Sequence, residues 1–195
     1  MILAGDIGGT KTLLGMFDPA GVRPTPLHMH AYPTLGYADL GDMIAAFLEE
    51  ERVKGSTVSA ACFGVAGPVI DEGAELTNVP WRVDARKVAR TFGLKRVSLL
   101  NDLEAMGYSV RVLTDSEVHV LQPGQVADGG NIGLIAAGTG LGEALVHNVH
   151  GRLIPSASEG GHADFAARTD REIGLLRDLT ERFGRADVEH VISGR

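Results

Sequence analysis

The sequence turns on residues 99–107, Leu-Leu-Asn-Asp-Leu-Glu-Ala-Met-Gly, where an apolar run stops at two adjacent polar residues and a helical pattern begins. Val97, Leu99 and Leu100 read as the end of a buried strand, and Leu103, Met106, Val110 and Leu113 recur at helical spacing. Asp102 therefore falls near the helix N-cap, with its carboxylate pointing out of the sheet edge. A strand end feeding a helix is where open α/β folds bind ligands, and an Asn beside an Asp offers donors, acceptors and a base to a hydroxylated molecule. Capping chemistry alone explains the same pair, so a functional reading of Asn101 and Asp102 depends on the other motifs.

At 195 residues the chain is long enough for one large or two small domains with a buried core. A formal net charge of -7, with no basic block, argues against nucleic acid as a partner. The single cysteine, Cys62, lies in an apolar run at 60–65, which excludes a disulfide framework and a Cys-based zinc site and reads as a core thiol. Asp6 interrupts the first apolar stretch, no basic segment precedes it, and no run reaches the roughly 18 apolar residues needed to span a bilayer. These features predict a cytoplasmic protein with no membrane partner.

Ile2, Leu3 and Ala4 predict a short strand, and Leu13, Leu14, Met16 and Phe17 a second one, joined by Asp-Ile-Gly-Gly-Thr-Lys-Thr at 6–12. In that hairpin Gly8 and Gly9 allow a close backbone approach, so successive N–H groups can face an anion, and Thr10, Lys11 and Thr12 add donors and charge. Phosphate is the natural guest, although an ordinary hairpin explains the glycines equally. The stretch is neither a P-loop nor a Gly-x-Gly-x-x-Gly motif. Asp6, at a strand end beside the loop, is placed to hold the water shell of Mg²⁺. The pattern returns at Gly138, Thr139 and Gly140 between two further apolar stretches, and two such turns facing each other would clamp a polyphosphate.

Other polar groups suit a carbohydrate. Asn78 lies near the only tryptophan, Trp81, a pairing read as a sugar-lining element or, more simply, as a turn with a packed indole. Glu159 and His162 sit three apart, but Gly160 and Gly161 between them argue for a loop, which favours sugar hydroxyls over a metal. A carboxylate and an imidazole give vicinal hydroxyls directional, charge-strengthened hydrogen bonds. Thr169 with Glu172 makes a capping box, and Asp187 starts a last helical stretch that carries Glu189. The remaining histidines, including His28 and His30, form no constellation in the sequence and read as surface residues.

Four motifs, Asp-Ile-Gly-Gly-Thr-Lys-Thr at 6–12, Leu-Asn-Asp-Leu-Glu-Ala at 100–105, Gly-Thr-Gly-Leu-Gly at 138–142 and Ser-Glu-Gly-Gly-His-Ala-Asp-Phe at 158–165, resemble in order and spacing the bacterial glucokinases of the actin and hexokinase superfamily. The resemblance implies an α/β fold of ribonuclease-H-like lobes with mixed sheets flanked by helices, closing over ATP-Mg²⁺ and glucose. It implies a small N-terminal lobe at 1–110 and the beginning of a larger lobe at 111–195, incomplete because family chains continue further. The family's sugar residues fall on Asn101, Asp102, Glu159, His162 and Glu189, with Asp102 as the base toward the 6-hydroxyl, and its phosphate loops on 8–12 and 138–140. Glucose and ATP are the implied partners, and a homodimer is left open. Glu143 departs from the family pattern by placing a charge where an apolar residue is usual. The alternative expectation is a sugar-binding or regulatory fragment without turnover.

Overall fold

The structure, a computed structural model, describes residues 1–50, 52–76, 79–125 and 127–194. The chain forms two compact units, Met1–Ala105 and Met106–Arg195.

The first unit opens with strands β1 (Ile2–Ile7), β2 (Lys11–Asp18) and β3 (Thr25–Pro33), then helix α1 (Leu40–Leu48) and strand β4 (Ala60–Val65). Three short strands follow, β5 (Val69–Ile70), β6 (Gly73–Glu75) and β7 (Arg82–Asp84), then helix α2 (Ala85–Phe92), strand β8 (Val97–Asn101) and the start of helix α3 (Asp102–Ser109), whose residues from Met106 on belong to the second unit. The large sheet has the order β3-β2-β1-β4-β8. β2 runs antiparallel to both its neighbours, whereas β1, β4 and β8 are mutually parallel. A five-stranded sheet with only its second strand reversed is the topology expected of a ribonuclease-H-like lobe.

The parallel strands need crossovers, and the sequence supplies amphipathic helices for them. Asp39 caps α1 by accepting from Asp42 N at 3.0 Å, and Leu40, Met43, Ile44 and Phe47 on one helical stripe are all buried. They join Leu3, Leu14, Met16, Phe63 and Val65 of the sheet in one core, which Trp81, Val83 and Val88 extend. Asp84 caps α2 through Lys87 N at 2.9 Å, and Gly93 ends it in the left-handed conformation with φ 64°.

The second unit carries the antiparallel meander β9 (Ile132–Ala137), β10 (Leu141–Val149) and β11 (Arg152–Ser158), followed by helices α4 (Asp170–Phe183) and α5 (Val188–Ile192). Leu141, Ala144 and Val146 of β10 are buried, and Gly107 of α3 lies so close to Pro155 and Val146 that a Cβ would stand 2.7 Å from Pro155 Cβ. The Thr169 and Glu172 capping box opens α4, and Asp187 caps α5.

Two expectations change. The apolar spacing beyond residue 101 predicts a longer buried helix, but α3 ends at Ser109, residues 110–112 tighten into a 3₁₀ turn, and Met106 and Leu113 are exposed. Periodicity reports which residues share a face, not what covers it. His28 and His30 are not isolated surface groups: both reach Glu50, at 2.5 and 2.6 Å, because strand alternation sets them on one face of β3 beside the end of α1. Trp81 is buried, in line with the packed-indole reading, while Asn78 lies outside the described residues. Among the described residues no helix is long and apolar enough to cross a membrane.

Phe47 is fully buried where α1 meets the sheet. Phe47→Ala is expected to lower the unfolding free energy by about 3–5 kcal/mol, read from urea denaturation monitored by circular dichroism.

Candidate active site

In the first unit the parallel pairing aligns three strand ends. Asp6 of β1 stands opposite Gly64 of β4, and Val65 of β4 opposite Asn101 of β8. Asp6, Gly64 and the Asn101-Asp102 pair therefore open onto the same carboxyl edge of the sheet, the edge at which open α/β sheets bind ligands.

Asn101, not Asp102, caps α3. Its Oδ1 accepts from Leu103 N at 3.0 Å and Glu104 N at 3.3 Å, while its Nδ2 donates to Gly67 O at 3.1 Å. The asparagine thus uses its acceptor on the helix and its donor on the loop after β4, a task an aspartate could not perform. Gly67 has φ 144°, a conformation that side chains resist. Asp102 is the first residue of the helix, and its Oδ1 shares the Leu103 N–H at 2.8 Å. The other oxygen, Oδ2, has no hydrogen-bond partner among the described residues. Gly64 lies against this arrangement: a Cβ there would stand 3.4 Å from Ala105 Cβ and 3.9 Å from Asp102 Cα, ordinary packing distances.

Asp6 is close enough to Asp102 to feel its charge. Partial burial and then the Asp102 carboxylate raise the Asp6 pKa above the ordinary range, and Lys11 pulls it back. In the adjoining hairpin Gly8 N donates to Lys11 O at 3.1 Å, and a Cβ on Gly8 would meet that same carbonyl at 2.9 Å. Thr34 holds the loop from outside, donating Oγ1 to Gly8 O at 2.8 Å and N to Thr10 O at 3.0 Å. Gly8 and Gly9 are half-buried, and Thr10 and Lys11 are exposed and open to an anion. Thr12 is not: it is fully buried, with its hydroxyl on that of Thr34 at 2.9 Å. Thr12 supports the loop and is not available as a ligand donor, because the strand alternation after Lys11 turns its side chain into the core.

The second unit gathers Gly138, Thr139, Gly140, Glu159, His162 and Glu189. Gly138 N donates to Gly140 O at 2.9 Å in the β9–β10 turn, and Gly138 and Thr139 are exposed. Glu189 is buried, and its Oε2 accepts from Leu141 N at 2.9 Å. That same oxygen lies 2.8 Å from where a Cβ on Gly140 would stand, so a side chain there would displace the Glu189 carboxylate. A residue read as a sugar ligand thus has one carboxylate oxygen committed to the phosphate-type turn. Gly161 packs on the carbonyl of the same residue, with its Cβ position 2.3 Å from Leu141 O, and Gly160 lies against the end of the Glu143 side chain. Gly161 is therefore required by its packing on the β10 backbone.

Glu159 is open to solvent, 82% exposed in its side chain, and stands 3.7 Å from His162 Nε2. On its other nitrogen His162 faces Asp187, Nδ1 to Oδ2 at 3.4 Å. Asp187 is a hub missed in the sequence. It is buried, its Oδ1 caps His190 N at 2.9 Å and meets His190 Nδ1 at 2.6 Å, and Arg185 Nε lies 4.0 Å from Oδ2. Burial works to raise its pKa, but the hydrogen bonds from His190 and His162 outweigh it, so the carboxyl titrates below its ordinary value. Its capping position was legible; its reach back 25 residues to His162 was not.

The comparisons agree with this architecture. The chain superposes on the crystal structure of a glucokinase from an Antarctic psychrotroph with a TM-score of 0.84 at 29% identity, covering 99% of this chain and 60% of that one. It also superposes on a ROK family glucokinase from Streptomyces griseus in complex with glucose and AMPPNP, with a TM-score of 0.55 at 29% identity over 85% of this chain and 51% of that one. The fold is thus that of the actin and hexokinase-type sugar kinases. A glucokinase from Synechocystis sp. is 39% identical over 98% of this chain and 57% of its own length. The glucokinase family model matches residues 3–195, and the chain belongs to the glucokinase family. It spans somewhat more than half the length of these relatives.

Asp187→Asn is expected to lower stability by about 1–3 kcal/mol at pH 7, the usual range for hydrogen bonds to a charged group. Because the folded pKa is depressed, the advantage of wild type is fully present above the ordinary aspartate value of about 3.9 and is lost as pH falls through the lower folded value. Urea titrations of both proteins across pH 7 to 3 check this; a gap that does not close in acid contradicts it.

Proposed function

We propose that this chain carries the sugar and phosphate sites of an ATP-dependent glucokinase, which transfers the γ-phosphoryl group of ATP to the 6-hydroxyl of glucose with Asp102 as general base. The observation that carries this reading is the Asp102 carboxylate at the carboxyl end of β8, with Oδ1 tied to Leu103 N and Oδ2 left open. A base for phosphoryl transfer needs a fixed orientation and one free acceptor. As the sugar O6 attacks phosphorus, its proton passes to Asp102 Oδ2, the new O–P bond forms, and the bond to the β-phosphate oxygen breaks to release ADP. The transition state is loose, so positioning and charge neutralisation supply most of the acceleration.

Residues 1–110 are assigned to the small lobe and 111–195 to the start of the large one. Asn101, Glu159 and His162 are assigned to the sugar hydroxyls, as are Asn78 and Glu189. The turns at 8–11 and 138–140, in which Thr10, Lys11, Gly138 and Thr139 are exposed, are assigned to the phosphates. Support for both substrates comes from the Streptomyces griseus relative, solved with glucose and AMPPNP. Asp6, whose pKa is raised by burial and then by the neighbouring Asp102 carboxylate, offers hard oxygen donors at the same sheet edge. That donor set fits Mg²⁺ held through water, and the ion when bound supplies charge neutralisation at the β- and γ-phosphates. Glucose phosphorylation of this kind belongs to glycolysis in the cytoplasm.

A second reading is a sugar-binding or regulatory piece without turnover. ADP release from ATP, Mg²⁺ and glucose decides between them. Asp102→Ala is expected to lower kcat by about 10²–10⁴ with the fold intact. Wild-type kcat in the folded variant removes Asp102 from the mechanism, and glucose binding with no ADP release from the unaltered chain supports the second reading.

A further inference from the structure

Away from the proposed kinase site, on the edge strand of the first unit, two imidazoles converge on one carboxylate. His28 Nε2 lies 2.5 Å from Glu50 Oε2 and His30 Nδ1 lies 2.6 Å from Glu50 Oε1, and the potential ligand atoms of the three groups all fall within 4.8 Å of one another. We propose that His28, His30 and Glu50 form a binding site for a divalent transition ion of the zinc type, which clamps β3 to the end of α1.

Two nitrogens and a carboxylate are the donor set borderline-soft ions prefer, and Mg²⁺ or Ca²⁺ would demand more oxygens. Both imidazoles are held before any ion arrives. The His28 ring stacks on Phe47 with centroids 5.6 Å apart, and the His30 ring stacks on Tyr32 at 4.2 Å. The Tyr32 hydroxyl donates to Glu50 Oε1, an outer partner of the kind that orients a ligating carboxylate. Burial is graded across the site: the His28 side chain is 16% exposed, Glu50 23% and His30 47%. The His30 side is therefore open to solvent, which gives an ion its entry path and a water its place as fourth ligand. The hydrogen-bonded spacings shown are shorter than ligand-to-ligand separations around zinc, so binding spreads the three groups by small side-chain rotations and displaces the protons between them.

A cluster held only by hydrogen bonds is the competing account, and it predicts no stoichiometric metal. The test uses the whole 195-residue chain, stripped with a chelator and titrated with Zn²⁺ against a chromophoric competitor, then with Co²⁺ followed by visible absorption. One equivalent of Zn²⁺ and the intense bands of tetrahedral Co²⁺ are expected in wild type. Affinity is expected to fall by more than the roughly 10–100-fold that loss of an outer partner costs, in both His30→Asn and Glu50→Gln. His30→Asn alters an accessible side chain and carries the comparison even if Glu50→Gln, which also frees Tyr32, disturbs the fold. Absence of stoichiometric Zn²⁺ in wild type overturns the site, as does wild-type affinity in folded His30→Asn.

Discussion

The parallel register of β1, β4 and β8 is the constraint on which the first unit depends. Pairing Asp6 with Gly64 and Val65 with Asn101 brings three strand ends level, and a slip of one residue would turn every side chain to the opposite face. The register is fixed by the core below it, where Leu3, Phe63 and Leu99 are all buried. At the edge the first turn of α3 packs against Gly64 of β4, and Asn101 spans from that helix to Gly67 with donor and acceptor both in use. Asp102 inherits its position from these contacts and from its own bond to Leu103 N.

The second unit uses a comparable economy around a single residue. Leu141 presents its N–H to Glu189 and its carbonyl to Gly161, so the β9–β10 turn and the Glu-Gly-Gly-His loop share one support. A side chain larger than hydrogen at Gly140 or Gly161 would collide with Glu189 Oε2 or Leu141 O. Asp187 extends the same support, tying α5 and His162 together, while Val188 N donates to Ala163 O at 3.0 Å to close the loop from behind. The Glu143 carboxylate fits beside this loop because it faces the hydrogen of Gly160.

Local chemistry was legible in the sequence wherever a few neighbouring residues decided the outcome. The stripe of α1 and the caps at Asp84, Thr169 and Asp187 all depend on contacts within four residues, and the N-terminal hairpin on a turn closed by Gly8 N and Lys11 O; each was readable from residue type and spacing. Which member of the Asn101-Asp102 pair caps α3 is of another kind: Asn and Asp both cap well, and only the carbonyl of Gly67, 34 residues away in sequence, makes the asparagine the better choice. Burial of Thr12 against Thr34, of Glu189 against Leu141, and the meeting of His28 and His30 with Glu50 all join residues 20 or more positions apart. No spacing rule encodes such pairs; they exist only after the sheet and its crossovers are built.

What the structure adds to a motif is a division among its polar groups between those committed to the protein and those with capacity to spare. Thr12 is enclosed, Asp187 serves two histidines and a helix cap, and Glu189 has an oxygen on Leu141. Asp102 keeps Oδ2 open, the Glu159 side chain is largely solvated, and Thr10 and Lys11 project from their loop. Binding or proton transfer needs a lone pair or a donor that folding has not used, whereas an enclosed group contributes by fixing its neighbours. A motif that mixes both kinds, as both loop motifs here do, is selected as a unit because its open members are aimed by its closed ones. Thr12 and Thr34 shape the first hairpin, and Glu189 holds the second turn through Leu141, so a conservative change at any of them would displace donors elsewhere in the loop.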